Sequence, residues 1–94
     1  MFPSSERTVR LPADLHARPA GLLSRTAAGF RSKVTLAVGE REIDARSVLL
    51  VMQLGATKDT EVTVRAEGED AEQAVETLSD MLAAVAPENA TASG

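Results

Sequence analysis

One run of residues in this chain combines a nucleophile with the means to hold an anion: Leu15-His16-Ala17-Arg18-Pro19-Ala20, which contains the only histidine of the 94 residues. From Ala17 onward the apolar spacing turns helical, with Ala20, Leu23, Ala27 and Phe30 three or four residues apart. This spacing sets His16 at or next to a helix N-cap. Pro19 agrees with that placement, because proline lacks an N–H and is tolerated in the first turn, where backbone donors have no intrahelical acceptor. The donors left over are the amides of Ala17 and Arg18. They and the positive end of the helix dipole point toward an anion carried on the imidazole, and Arg18 adds a planar guanidinium. A helix start and a nearby guanidinium both disfavour a cationic ring, which keeps a ring nitrogen available as a nucleophile toward phosphorus. A phosphoryl group would bring roughly two negative charges to this spot, on a linkage that stays transferable. That chemistry suits a carrier better than a hydrolase, for which no second general base or triad can be assembled. Capping alone is a weaker account of His16, since Ser, Thr, Asp and Asn cap better.

Ser47 is a second N-cap residue, ahead of a short and unusually apolar helix, Val48-Leu49-Leu50-Val51-Met52-Gln53, closed by Leu54 and Gly55. Five consecutive apolar residues cannot all face one core from so few turns. Val51 and Leu54 are expected on the buried side. Val48, Leu49 and Met52 then form an exposed apolar patch suited to docking a partner, with charged rim groups from Arg18, Arg25 and Arg46.

The elements that position these residues follow from the pattern. Thr8 to Leu11 alternates as a half-buried strand and Pro12 ends it, whereas Met1 to Glu6 reads as a frayed lead. The first helix runs to about Ala28 with Gly29 closing it, and Phe30 is expected as the aromatic anchor of the core. Lys33 to Val38 places Val34, Leu36 and Val38 on one face; Gly39-Glu40 turns the chain into Arg41 to Ala45, with Ile43 inward. Lys58-Asp59-Thr60 is a polar turn before Glu61 to Ala66, with Val62 and Val64 inward, and Gly68 breaks that strand. Ala71, Val75, Leu78, Leu82 and Val85 form the stripe of a last helix bordered by Met81, which Pro87 stops before a small, polar tail over 88–94. The order is strand, helix, strand, strand, helix, strand, helix. An α+β fold is the expected solution, a four-stranded antiparallel sheet with three helices covering one face.

Composition limits the function. Ninety-four residues make a single domain, spanning 1–94 with its core at about 7–86 and flexible ends over 1–6 and 87–94. At 2% aromatic content, aliphatic residues, alanine and methionine must fill the core. No cysteine is present, so thiolate chemistry, disulfides and cysteine-based zinc sites are excluded, and a lone histidine argues against other metal sites. A net charge of −4 argues against nucleic acid. No apolar run approaches the roughly 18 residues of a membrane span, and the first residues lack a signal-peptide pattern. The expectation is a cytoplasmic monomer without cofactor or metal.

The run Asp14-Leu15-His16-Ala17-Arg18-Pro19-Ala20 resembles the active-site stretch of HPr, the histidine-containing phosphocarrier family of the bacterial phosphoenolpyruvate-dependent sugar phosphotransferase system. Ser47 to Gly55 is similar to the family's regulatory-serine helix, and Ala66-Glu67-Gly68-Glu69-Asp70-Ala71 to the lead into its last helix, so the likeness covers about Arg7 to Ala86. The resemblance implies an open-faced α/β sandwich. It also implies a relay in which His16 accepts phosphate from enzyme I and passes it to sugar-specific IIA domains, as a phosphohistidine carrier rather than a stand-alone enzyme. Arg18 would stabilise the phosphate, and Ser47 would be a regulatory site in hosts with a serine kinase/phosphorylase. Two departures stand out: Asp14 replaces the usual glycine and puts a negative charge beside the site, and Gly21 replaces alanine or serine and should loosen the first helix slightly. A carrier for another relay, in nitrogen regulation or dihydroxyacetone phosphorylation, would keep His16 and Arg18 unchanged. A regulatory binding module acting through the Ser47 helix would need no phosphorylatable histidine.

Overall fold

A computed structural model describes residues 3–87. The elements are β1 (Ser4–Arg10), α1 (Ala17–Ala28), β2 (Lys33–Val38), β3 (Arg41–Asp44), α2 (Val48–Gln53), β4 (Glu61–Glu67) and α3 (Ala71–Ala83). The four strands form one antiparallel sheet in the order β1-β4-β2-β3. Period-two alternation then divides the side chains between two environments. Val62, Val64 and Ala66 of β4, with Val34 and Leu36 of β2, are buried beneath the helices. Residues of the opposite parity build a polar layer on the uncovered face. There Arg65 reaches Glu6 and Glu42 at 3.1 Å each, Thr35 donates to Glu42 at 2.8 Å, and Thr8 and Thr63 share a 2.8 Å hydroxyl contact.

The sheet begins earlier than its apolar pattern suggests. Ser4, Ser5 and Glu6, expected in a frayed lead, pair with Glu67, Ala66 and Arg65, and the Gly68 amide donates to the Pro3 carbonyl at 2.9 Å. Main-chain pairing needs no apolar side chain, and on an edge strand with one wet face a polar run is sufficient. The sheet therefore starts ahead of Arg7, at Ser4, whereas the first fully buried core side chain is Leu11. The expected tail over 88–94 lies outside the described residues, as do Met1 and Phe2.

Leu23, Ala20 and Ala27 of α1 and Leu78, Leu82, Ala74 and Val75 of α3 complete the core. Phe30 is only partly buried, packed on the rim after Gly29, so aliphatic side chains and alanine do the filling. Val38 and Ile43, expected inward, likewise lie at the core's edge.

One clamp closes the end of the sheet away from His16. Gly68 has φ +147°, and a Cβ there would lie 2.7 Å from Ser32 Cα, so the two turns meet at a distance only glycine permits. The Asp70 carboxylate then accepts from the amides of Arg31 and Ser32 at 2.9 Å each and from the Ser32 hydroxyl. The Ser32 hydroxyl, followed by the Arg31 amide, holds the Asp70 carboxyl below the usual carboxylate range. A depressed folded-state pKa gives stability that is present above the unfolded value, near pH ~4, and is lost as pH falls through the folded one. Wild type should accordingly melt above Asp70→Asn at neutral pH, and the gap between the two melting temperatures should close as a thermal series is taken from pH 6 to pH 2.

Candidate functional site

Alternation continues into the loop before α1, where Leu11, Ala13 and Leu15 are buried while Pro12 and Asp14 are exposed and His16 is half-buried. The inward residues bolt the loop to the core and the outward ones present the site. Main-chain bonds fix both ends: Leu11 donates to Thr60 at 2.9 Å, Asp59 donates to Leu11 at 2.8 Å, and Leu15 donates to Ala56 at 3.0 Å.

His16 is the N-cap of α1, with an extended backbone (φ −82°, ψ 174°) and no capping hydrogen bond from its side chain. The histidine thus holds the capping position without performing the capping bond. Its carbonyl accepts the Ala20 amide at 3.0 Å, the first bond of the helix. The amides of Ala17 and Arg18 consequently have no intrahelical acceptor, and Pro19 has none to offer. Arg18, Leu22 and Arg25 follow at helical spacing and are all exposed, so one outer stripe of α1 leads away from His16.

α2 packs against α1. Ser47 caps it, its hydroxyl accepting the Leu50 amide at 3.2 Å. Val51 and Leu54 are buried at 1% and 7%, whereas Val48, Leu49 and Met52 retain 41%, 67% and 39% of their exposure, the division the spacing predicts. Arg46 differs from expectation. Its Nε and Nη2 bond to Asp44 at 3.2 and 3.0 Å, which lowers the Asp44 carboxyl and raises the guanidinium, so this rim charge is already neutralised within the chain. Leu22 was not singled out by the sequence, although it is 48% exposed. The signal for it is its offset from the Ala20-Leu23-Ala27 stripe.

A family model for the phosphorylation-site HPr component of the phosphotransferase system matches residues 3–84. The chain belongs to the HPr family. The HPr fold is equally evident in solved structures. Phosphocarrier protein HPr from Bacillus anthracis superposes with a TM-score of 0.79 at 28% identity, covering 84% of this chain and 96% of that one. Crh, the catabolite repression HPr of Bacillus subtilis, matches in its solution structure with a TM-score of 0.74 at 34% identity, over 89% and 100% of the two chains. A crystal structure of Crh, described as a domain-swapped dimer, matches with a TM-score of 0.68 at 39% identity, over 79% and 85%. A phosphocarrier role in the phosphotransferase system comes with the family.

Of the two departures from the HPr pattern, Asp14 has a structural account and Gly21 has none. Asp14 has a negative φ, so its backbone does not demand glycine, and its carboxylate accepts the Lys58 amide at 2.7 Å. Gly21 lies inside an unbroken α1 with nothing within 4 Å of a built Cβ, so no steric reason requires it, and it costs the helix about 1 kcal/mol relative to alanine. Among the described residues, no group of three metal-ligating side chains occurs and no helix is long and apolar enough to cross a membrane.

Proposed function

We propose that this HPr-family protein carries phosphate on His16, taking it from enzyme I and delivering it to IIA domains in the cytoplasm. The observation that carries this reading is the N-cap position of His16, ahead of two amides without intrahelical acceptors and two residues before the exposed Arg18. In each transfer a ring nitrogen of the acceptor attacks phosphorus while the N–P bond of the donor breaks, and the departing imidazole keeps the electron pair. The phosphoryl oxygens, carrying roughly two charges, are met by the Ala17 and Arg18 amides, the dipole of a twelve-residue helix and the Arg18 guanidinium. These groups hold the phosphoryl oxygens by hydrogen bonds and charge alone, so the N–P bond is the one covalent bond to break when the phosphate leaves. Val48, Leu49, Met52 and Leu22 provide the apolar docking surface, with Arg18 and Arg25 facing partner carboxylates. The reading takes the chain as a monomer, although Crh has crystallised as a swapped dimer. Incubation with phosphoenolpyruvate and enzyme I should add one acid-labile phosphate per chain, and addition of an IIA domain should remove it. A chain that stays unlabelled, or that keeps its label in the presence of every IIA domain of its host, contradicts the relay.

The likeness to Crh favours a second, compatible reading in which α2 regulates through Ser47. Phosphate on that hydroxyl would place negative charge against Val48 and Leu49, opposing their desolvation and repelling acidic partner groups. Ser47→Asp should keep the cap and the melting temperature but accept phosphate from enzyme I markedly more slowly. If its rate equals that of wild type, Ser47 is a helix cap only.

A further inference from the structure

The main-chain ties of the His16 loop stop at Leu11 and resume at Leu15. Between them a side chain makes the tie to the rest of the fold: Asp14 Oδ1 accepts the Lys58 amide at 2.7 Å, across 44 positions of sequence. The anchor for that bond is a preformed turn. Thr60 donates to the Thr57 carbonyl at 3.0 Å, the Thr57 amide donates to Thr60 Oγ1 at 3.1 Å, and Asp59 holds a left-handed φ of 73°. The geometry points to Asp14 as a positioning residue for phosphoryl transfer, a latch that fastens the His16 loop to the Lys58 turn and so fixes the direction from which the imidazole meets phosphorus. This inference rests on the carrier reading above. Transfer between two imidazoles demands in-line geometry, and while buried Ala13 and Leu15 seat the inner side of the loop by packing, no main-chain hydrogen bond orients the outward residue two positions before the nucleophile. The carboxylate closes that gap, and the same bond directs its charge to an amide.

The test uses the full chain as wild type, Asp14→Asn and Asp14→Ala, with enzyme I and phosphoenolpyruvate as the donor system. Exchange of the Lys58 amide with solvent reports the latch, and kcat and KM for acceptance report its consequence. The alanine variant should exchange that amide about tenfold faster and lose about three- to tenfold in kcat with KM within about twofold. Asparagine, whose amide oxygen can accept the same bond, should recover most of both. A merely destabilised fold would not produce a kcat loss that asparagine rescues at a temperature well below melting. The proposal is overturned if alanine matches wild type in kcat, if the change falls on KM alone, or if asparagine is as slow as alanine while Lys58 stays protected. A wild-type chain that takes no phosphate on His16 removes the carrier reading and this proposal with it. Failure of the latch alone is recognised by normal labelling in every variant.

Discussion

Leu49→Asp should weaken association with enzyme I about five- to thirtyfold, about 1–2 kcal/mol, without lowering the melting temperature. Leu49 is the most exposed large apolar residue among those described, at 67%, so the free protein gives up little packing when it is replaced. The loss comes on binding. An apolar contact at the centre of an interface is desolvated, and a carboxylate placed there either stays wet and opens the contact or is buried without a partner. Val51→Asp is the informative opposite on the same helix, because that side chain is 1% exposed and a charge there should unfold α2 and the core beneath it. Calorimetric titration against enzyme I, run beside thermal denaturation, separates the two effects. Unaltered affinity in the Leu49 variant would remove α2 from the docking surface.

His16→Ala should abolish phosphoryl acceptance, a fall of at least about three orders of magnitude set by the assay floor, since no other described side chain at the helix start is a comparable nucleophile. The first bond of α1 should survive the substitution, because the Ala20 amide donates to the main-chain carbonyl of residue 16 and not to the imidazole. Arg18→Lys tests the same site more finely: it retains a charge and loses the two-pronged donor, and is expected to lower kcat about tenfold with KM within about twofold. A rapid-quench series with all three proteins gives both numbers. Residual labelling of His16→Ala at the wild-type rate would place the acceptor elsewhere.

How much of this could be read in advance depends on how far apart the deciding residues lie. α1 begins at Ala17 and ends at Ala28 as expected because its signals are local: an N-cap position, a first-turn proline and an apolar stripe. The burial split along α2 was legible in part: five consecutive apolar residues cannot all face one core, and the spacing of Val51 and Leu54 picks out the buried side without deciding Leu50. The start of β1 was hidden because Ser4 to Glu6 carry no apolar alternation and owe their structure to β4, about sixty positions away. The same holds for Asp14 on Lys58, for Asp70 on Ser32, and for Arg65 between Glu6 and Glu42, where each partner is chosen by topology. Arg46 shows the reverse: Asp44, two positions before it, pairs with a guanidinium expected to face a partner. For Asp14 the sequence shows a negative charge beside the site, and the structure adds the bond its carboxylate accepts from the Lys58 amide.

The most direct test of the carrier reading is to find where the phosphate goes and what receives it. Wild-type protein labelled with nitrogen-15 is phosphorylated by enzyme I and phosphoenolpyruvate and followed by amide and imidazole resonances alongside phosphorus-31 spectra. The account predicts a single acid-labile, base-stable phosphoramidate on an imidazole nitrogen of His16. The amide protons of Ala17 and Arg18 should shift downfield as they take up the phosphoryl oxygens, with the sheet resonances unmoved. Phosphate found on a hydroxyl or a carboxylate, or a phosphohistidine that leaves the Ala17 and Arg18 amides where they were, would contradict it.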